Sequence, residues 1–265
     1  MTGPAEAGLT GRVALVIGAG SIAPGIGIGR AICLALARDG AFVVAADREI
    51  SAAEETRAMV AEKGGQAETA EVDVLDDASV EALVAGVIER HGRIDILHCN
   101  VGLGKSGPSD GTTADDWRRI SDANVTSLHV AAQAAIPTMR KQGRGVITIT
   151  SSIAAIRYPG FPHLAYGATK AAASHFATAL AVELAPDNIR VNAVAPGAIN
   201  TPMLNGSMAR AEDPEAARDY SRNRHAMKRF GRSEEIASGV VYLLSEDASF
   251  NTGSVVTIDG GWTAA

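Results

Sequence analysis

Residues Arg12 to Gly40 read RVALVIGAGSIAPGIGIGRAICLALARDG. The first six, Arg12 to Ile17, form a short run rich in β-branched apolar side chains, the pattern of a strand buried on both faces. Arg30 to Arg38 is apolar without an internal Pro or Gly, and Asp39-Gly40 stops it, so the pattern predicts a helix there. Between them lies Gly18-Ala19-Gly20-Ser21-Ile22-Ala23-Pro24-Gly25-Ile26-Gly27-Ile28-Gly29. A strand that passes through glycines into a helix start makes a phosphate cradle. The helix offers unpaired N–H groups, and the glycines let a pyrophosphate approach the backbone. A glycine-rich loop is weak evidence alone, but the next strand, Ala41 to Ala46, ends in Asp47, where an acid can bind the ribose hydroxyls of an adenosine.

The alternation continues outward from this unit. The pattern predicts a helix over 52–63, a strand over 67–72 ending at Asp73, a helix over 78–91, and a strand over 93–99 closed by Asn100-Val101-Gly102. A long helix follows over 114–141, then a strand over 145–150 that delivers Ser151 and Ser152, a helix over 164–184, and a strand over 189–194. Strand–helix units of this length predict an α/β, single-domain, doubly wound parallel sheet, a Rossmann fold, with ligands at the strands' C-terminal ends. Gly29, Asp47, Asp73, Asn100, Ser152 and Pro196 all fall at such ends.

Chemistry enters with Tyr166-Gly167-Ala168-Thr169-Lys170. On a helix, Tyr166 and Lys170 lie one turn apart on one face. A fixed cation beside a phenol favours phenolate, so Lys170 is expected to bring Tyr166 toward proton exchange near neutral pH. Ser152 can donate a hydrogen bond to an oxygen that gains charge. By strand alternation Ser151 points the other way. Alone, such a pair is a common helix-surface feature, and it gains meaning only from its place in the strand–helix series.

Composition narrows the class. The 265 residues are 46% hydrophobic with no linker-like stretch, which predicts one domain over 1–265. Against 30 Asp+Glu stand 24 Lys+Arg, a net charge of −6 without a basic cluster, so neither nucleic acid nor a membrane surface is an expected partner. Met1 to Thr10 has no basic start or apolar run, and the expectation is a cytoplasmic protein. Cys33 and Cys99 lie in apolar segments and read as reduced core thiols, and no metal-ligand spacing is present.

From Gly11 to Thr263 the chain resembles a classical short-chain dehydrogenase/reductase. The resemblance rests on Gly27-Ile28-Gly29, Asp73-Val74, Asn100-x-Gly102, Asn124, Ser152, Tyr166-x-x-x-Lys170, Pro196-Gly197-Ala198-Ile199-Asn200-Thr201 and Asp259-Gly260-Gly261-Trp262. It implies an oxidoreductase that moves a hydride between a nicotinamide and a secondary alcohol or ketone. Tyr166 would be the general acid/base, Ser152 would hold the reacting oxygen, and Lys170 would tune Tyr166 and bind the nicotinamide ribose. Asn124 would position a water linking Lys170 to solvent. Asp73 and Val74 would bind the adenine, Asn100 and Gly102 would lie along the adenosine ribose, and Ile199 and Thr201 would hold the carboxamide. Gly18, Gly20, Ser21, Gly27, Ile28, Asp47, Arg48, Pro196 and Gly197 complete the cofactor set. Asp47 favours NAD(H), because it bonds a 2′-hydroxyl and repels a 2′-phosphate; Arg48 is the counterweight toward NADP(H).

The resemblance also implies a homotetramer and a variable substrate lid over 202–230, with Arg157, Tyr158, Phe161 and His163 near the pocket. Alanines at 131, 132, 134, 135, 171, 172, 173 and 177 suit either close packing across a two-fold axis or packing on the chain's own sheet. Some features depart from the family's common pattern. The segment between Gly18 and Gly27 is longer, in a way similar to enoyl-acyl-carrier-protein reductases, although the Tyr–Lys spacing favours carbonyl/alcohol chemistry. Cys99-Asn100-Val101-Gly102 stands for Asn-Asn-Ala-Gly, and Ile17 for Thr. Alternatives are an NADPH-dependent ketoreductase of 3-oxoacyl type and a non-catalytic dinucleotide-binding regulatory module.

Overall fold

Val13–Ile17 (β1) sends Val13, Leu15 and Ile17 to one core and Ala14 and Val16 to another, and all five are buried. A strand apolar on both sides belongs at the centre of a parallel sheet. The computed structural model describes residues 8–265. Its strands are β1, Phe42–Asp47 (β2), Gln66–Glu71 (β3), Ile96–Cys99 (β4), Gly145–Thr150 (β5), Ile189–Pro196 (β6) and Val255–Ile258 (β7). They form one parallel sheet in the order β3-β2-β1-β4-β5-β6-β7, as the strand–helix alternation predicts.

The helices are Ile28–Arg38 (α1), Ile50–Glu62 (α2), Asp77–His91 (α3), Ala114–Ser121 (α4), Ser127–Gln142 (α5), Leu164–Leu184 (α6), Pro202–Met208 (α7), Pro214–Arg224 (α8) and Ser233–Leu244 (α9). On one face Ile32 and Leu36 of α1 share a core with Ile236 and Val240 of α9. On the other, Val84 of α3, Ala131 and Met139 of α5, and Ala173, Ala177 and Ala181 of α6 pack beneath Leu15, Ile17 and Ile147. Most of the alanines on α5 and α6 are therefore used against the chain's own sheet. Among the described residues no helix is long and apolar enough to cross a membrane.

The helix expected over 114–141 is interrupted. A π turn, Asp122–Thr126, separates α4 from α5 and contains Asn124. Such turns recur at functional sites because the extra residue re-aims side chains. β4 starts at Ile96, later than expected, and β3 ends at Glu71, so Asp73 stands just beyond it. The chain after β6 adds α9 and β7, which the expected alternation did not include. The segment over 202–230 carries two helices, each with a proline in its first turn and a side-chain cap, Thr201 on Leu204 N–H (3.2 Å) and Asp213 on Glu215 N–H (3.1 Å).

Candidate active site

β1 and β4 are neighbours, yet they lead to helices on opposite faces, so a crevice opens beyond their C-terminal ends. Gly18, with φ 84°, turns the chain back so that its N–H and that of Ala19 donate to the Ala46 carbonyl at 2.8 and 3.0 Å. Gly29 lies where α1 meets this turn. A Cβ there would fall 1.9 Å from the Gly18 oxygen, so only glycine fits. Gly20 N–H donates to Asp47 Oδ2 at 2.8 Å, and a Cβ on Gly20 would lie 2.9 Å from that oxygen. Asp47 is thus fixed at the mouth of the turn, with Glu49 N–H on its other oxygen at 3.2 Å. Arg48 turns away, exposed, toward Glu49 at 3.5 Å.

The long segment between Gly18 and Gly27 is held from several sides. Ser21 Oγ donates to the Ala23 carbonyl (2.8 Å), the buried Arg30 to the Gly25 carbonyl (2.8 Å), and Ser233 of α9 to the Ile26 carbonyl (2.8 Å). Arg30 also donates to Thr56 Oγ1 and Glu55 Oε2 of α2 at 3.0 and 2.8 Å. Gly25 reaches Pro202 at the start of the lid, where an added Cβ would sit 3.1 Å from the Pro202 ring. The loop therefore spans from the glycine turn to the lid.

Beyond β3, the exposed Asp73 accepts Leu75 N–H at 3.0 Å, and Val74 packs on the core. Beyond β4, Asn100 ties the site together: its Nδ2 donates to the Gly18 carbonyl (3.0 Å) and its Oδ1 accepts from the Thr150 hydroxyl (3.0 Å). With its proton so committed, Thr150 accepts from His98 Nε2 (3.2 Å), and His98 Nδ1 accepts from Thr148 (2.7 Å). This ring is wholly buried, and burial, helped by the charge of Lys170, pushes its pKa down to about 3. Cys99 lies beside it as a buried thiol, raised by burial to about 12, which suits a core thiol.

Lys170 is 2% exposed and donates to the carbonyls of Thr150 (2.7 Å) and Val101 (2.9 Å), and its Nζ lies 5.8 Å from the Tyr166 ring centroid. Burial lowers its pKa to about 8. Gly102 passes close by, and a Cβ there would touch Nζ at 3.4 Å. The Tyr166 phenol has a raised pKa because burial disfavours the anion, with the Ser152 hydroxyl pulling the other way. This corrects the expectation that Lys170 lowers it: the ammonium is seated on two carbonyls, and burial of the phenol sets the direction. Ser152 Oγ accepts Ala154 N–H (3.1 Å), which leaves its proton free to donate, whereas Ser151 turns away to the Lys170 carbonyl (3.0 Å), as alternation predicts.

Asn124 is buried and its side chain is committed. It accepts Leu103 N–H (2.8 Å) and donates to the Leu103 carbonyl (2.8 Å) and to Thr169 Oγ1 (2.9 Å). Both amide hydrogens are used, and the side chain fixes the Leu103 strip to α6. His163 forms part of the pocket wall, its ring 5.0 Å from that of Tyr166 and its Nε2 3.1 Å from Ser106 Oγ. Tyr220 of α8 meets Gly160, where an added Cβ would lie 2.0 Å from the phenol oxygen.

At the far end Pro196 closes β6, and Gly197 N–H donates to the Ile258 carbonyl (3.0 Å). Ile199 pairs in parallel with Gly231 through the Ala198 carbonyl (3.1 Å) and Asn200 N–H (2.9 Å). In that pattern Ile199's own N–H and C=O face away from Gly231, toward the crevice side. Thr201 Oγ1 caps α7 and keeps its proton. Sequence reasoning missed His98, Arg30 and His225. A histidine within the apolar Ile96–Cys99 was the available signal for His98; Arg30 and His225 carry none, because their partners are distant in sequence.

Together these groups fit a dinucleotide. Gly20 and Gly29 stand where a Cβ would collide, a carboxylate sits at the end of β2, and the amide groups of Ile199 that face away from Gly231 lie just beyond β6. The family described as Enoyl-(Acyl carrier protein) reductase matches residues 22–263. Levodione reductase of Leifsonia aquatica is 38% identical over 261 residues, covering 97% of this chain and 96% of that protein, and the levodione reductase crystal structure superposes with a TM-score of 0.91. The 7alpha-hydroxysteroid dehydrogenase of Escherichia coli K12 is 35% identical over 96% of this chain and 94% of its own length. A 7alpha-hydroxysteroid dehydrogenase structure with NADH and 7-oxo glycochenodeoxycholic acid, 34% identical, superposes at 0.88 over 98% of each chain. A structure from Beutenbergia cavernae, described as an NAD(P)-dependent gluconate 5-dehydrogenase with NADP at low occupancy, is 31% identical and superposes at 0.89 over 98% of this chain and all of that one.

Proposed function

Because this chain belongs to the classical short-chain dehydrogenase/reductase family, NAD(P)-dependent oxidoreductases acting on CH–OH groups, we propose that Tyr166 is its general acid/base and NAD(H) its preferred cofactor. The observation that carries the first part is the arrangement of Ser152, Tyr166 and Lys170 at the C-terminal end of β5. Ser152 has a free donor, Tyr166 a phenol kept protonated by burial, and Lys170 an ammonium seated on two carbonyls. A substrate carbonyl placed against Tyr166 and Ser152 receives two hydrogen bonds on the oxygen that becomes negative, and Tyr166 then delivers the proton. The nicotinamide, when bound, supplies or accepts the hydride. Lys170 sits where a ribose hydroxyl can join it and relays charge to the phenol. A protonated Tyr166 enters ketone reduction as the proton donor, and alcohol oxidation, which needs the phenolate as base, gains as pH rises.

Asp47 supports the cofactor choice. Two backbone N–H groups hold its carboxylate facing the glycine turn, where a 2′-phosphate would meet like charge and a 2′-hydroxyl an acceptor. Arg48 would have to leave Glu49 to offset this. His163, Tyr158, Phe161 and Tyr220 make a largely aromatic surround for a cyclic or apolar alcohol or ketone. Among the exposed apolar groups, Phe250 precedes the edge strand β7 and Val182 and Trp117 lie on α6 and α4. Exposed apolar groups of this kind on more than one element suit a homotetramer. The test is a panel of ketones and alcohols run with both cofactors on wild type, Tyr166→Phe and Asp47→Ser. Tyr166→Phe should lower kcat by about 10²- to 10⁴-fold while dinucleotide affinity holds. Asp47→Ser should shift kcat/KM toward NADP(H); a wild type that already prefers NADP(H) overturns the choice.

A further inference from the structure

His225 ends lid helix α8 and is 1% exposed. Both ring nitrogens are used. Nδ1 lies 3.0 Å from the Ser221 carbonyl, toward which it can only donate, so Nε2 carries no proton and accepts Ala198 N–H at 3.2 Å. The ring is thereby fixed as one neutral tautomer. Ala198 belongs to the Pro196–Thr201 turn that, on the reading above, receives the nicotinamide. Gly197 beside it has room for nothing larger, since a Cβ would lie 3.1 Å from Nε2. The ring edge also packs on Trp262, with centroids 4.7 Å apart at 83°. One buried imidazole thus joins the lid, the turn and the C-terminal segment.

Protonating Nε2 would set its N–H against the Ala198 N–H, two donors at bonding distance, and the joint would open. The charged groups around the ring are Asp259, which favours the proton, and Arg229, which opposes it, with Arg224 over the neighbouring Trp262 ring. Asp259 is engaged with Thr263 and Gly261, and Arg229 with Glu235 (2.7 Å). The carboxyls of Asp259 and Glu235 are both held below their ordinary range, Asp259 by those hydrogen bonds against burial, Glu235 to about 2 by Arg229. Among these groups only His225 titrates between about pH 5 and 8. Burial pushes its pKa below the ordinary histidine value.

We propose that His225 is a positioning residue whose neutral ring holds the nicotinamide turn to the lid, so that a proton on His225 and a bound dinucleotide oppose each other. The inference rests on the dinucleotide reading, and its test can fail separately. The chain has two tryptophans, so Trp117→Phe leaves Trp262 as the sole indole, in contact with His225. An imidazolium quenches a touching indole more than a neutral imidazole does. Emission should fall as pH drops through a midpoint below about 6.5, and saturating NAD⁺ should move that midpoint to lower pH. Calorimetry should show the NAD⁺ Kd rising below the midpoint by at most about tenfold per pH unit, as one linked proton requires. In Trp117→Phe/His225→Gln the quenching step should vanish and the Kd should be flat over the same window. A midpoint that saturating NAD⁺ leaves unmoved overturns the proposal, and this reading needs no His225 variant to fold. A quenching step that persists in His225→Gln also overturns it. If neither NAD⁺ nor NADP⁺ binds at about pH 8, the dinucleotide reading falls and the inference falls with it.

Discussion

Lys170 is an ammonium with almost no contact with water, and its seat on the Thr150 and Val101 carbonyls does not fully replace the hydration it lost. Its pKa of about 8 against 10.5 is the measure of that deficit. The folded value is depressed, so between these values the unfolded chain binds more protons and stability rises with pH. Wild type should therefore gain on the order of 2–3 kcal/mol over Lys170→Met between about pH 8 and pH 10.5, as read by urea unfolding at both ends. A difference that stays constant with pH would mean that Lys170 is not desolvated. The same burial raises the Tyr166 phenol, so the two partners of this pair are driven apart, the ammonium down and the phenol up, each toward its neutral form. A sequence reading of the Tyr–Lys pair supplies the Coulomb attraction but not the desolvation, and at this site desolvation is the largest cause of both shifts.

Two elements depart from regular geometry, and both border the site. The π turn at Asp122–Thr126 lets Asn124 clamp the Leu103 strip to α6. The long segment between Gly18 and Gly27 is held in place by the side chain of Arg30, which reaches Gly25, Thr56 and Glu55. Arg30→Met should keep the apolar stem of the side chain but orphan the Gly25 carbonyl and free the loop. The expected result is a loss of about 1–3 kcal/mol in stability and a dinucleotide KM that rises more than kcat falls. Unfolding curves with initial rates at varied NAD⁺ would check both. An unchanged KM would show that the loop does not touch the bound cofactor.

For the molecule as a whole, the proposed homotetramer would use exposed apolar groups where copies of the chain meet. Phe250 is 105% exposed, next to edge strand β7, and Val182 on α6 is 75% exposed. Burying a phenylalanine side chain is worth about 1.5–3 kcal/mol, and a dyad does so twice. If the chain assembles as the proposed tetramer, Phe250→Asp should convert it to a dimer in light scattering at micromolar concentration without unfolding the protomer. A mass that does not change would remove β7 from the interface, and a wild-type monomer would remove the assembly.

Much of the fold was legible in the chain because its information is local. A buried strand, a glycine turn and a helix stop each leave a pattern within a few residues, and repetition of the unit compels a parallel sheet. The strand ends that gather Asp47, Asn100, Ser152 and Pro196 follow from that topology alone. Tertiary structure decided the rest. The break at Asn124 depends on partners at Leu103 and Thr169, the Arg30 latch on α2, and the His225 joint on Ala198. None of these contacts has a periodicity to read. The pKa values of Tyr166 and Lys170 were beyond the sequence for the same reason: spacing places two charges on one helix face, but only the packing of the surrounding chain sets how much water each one loses.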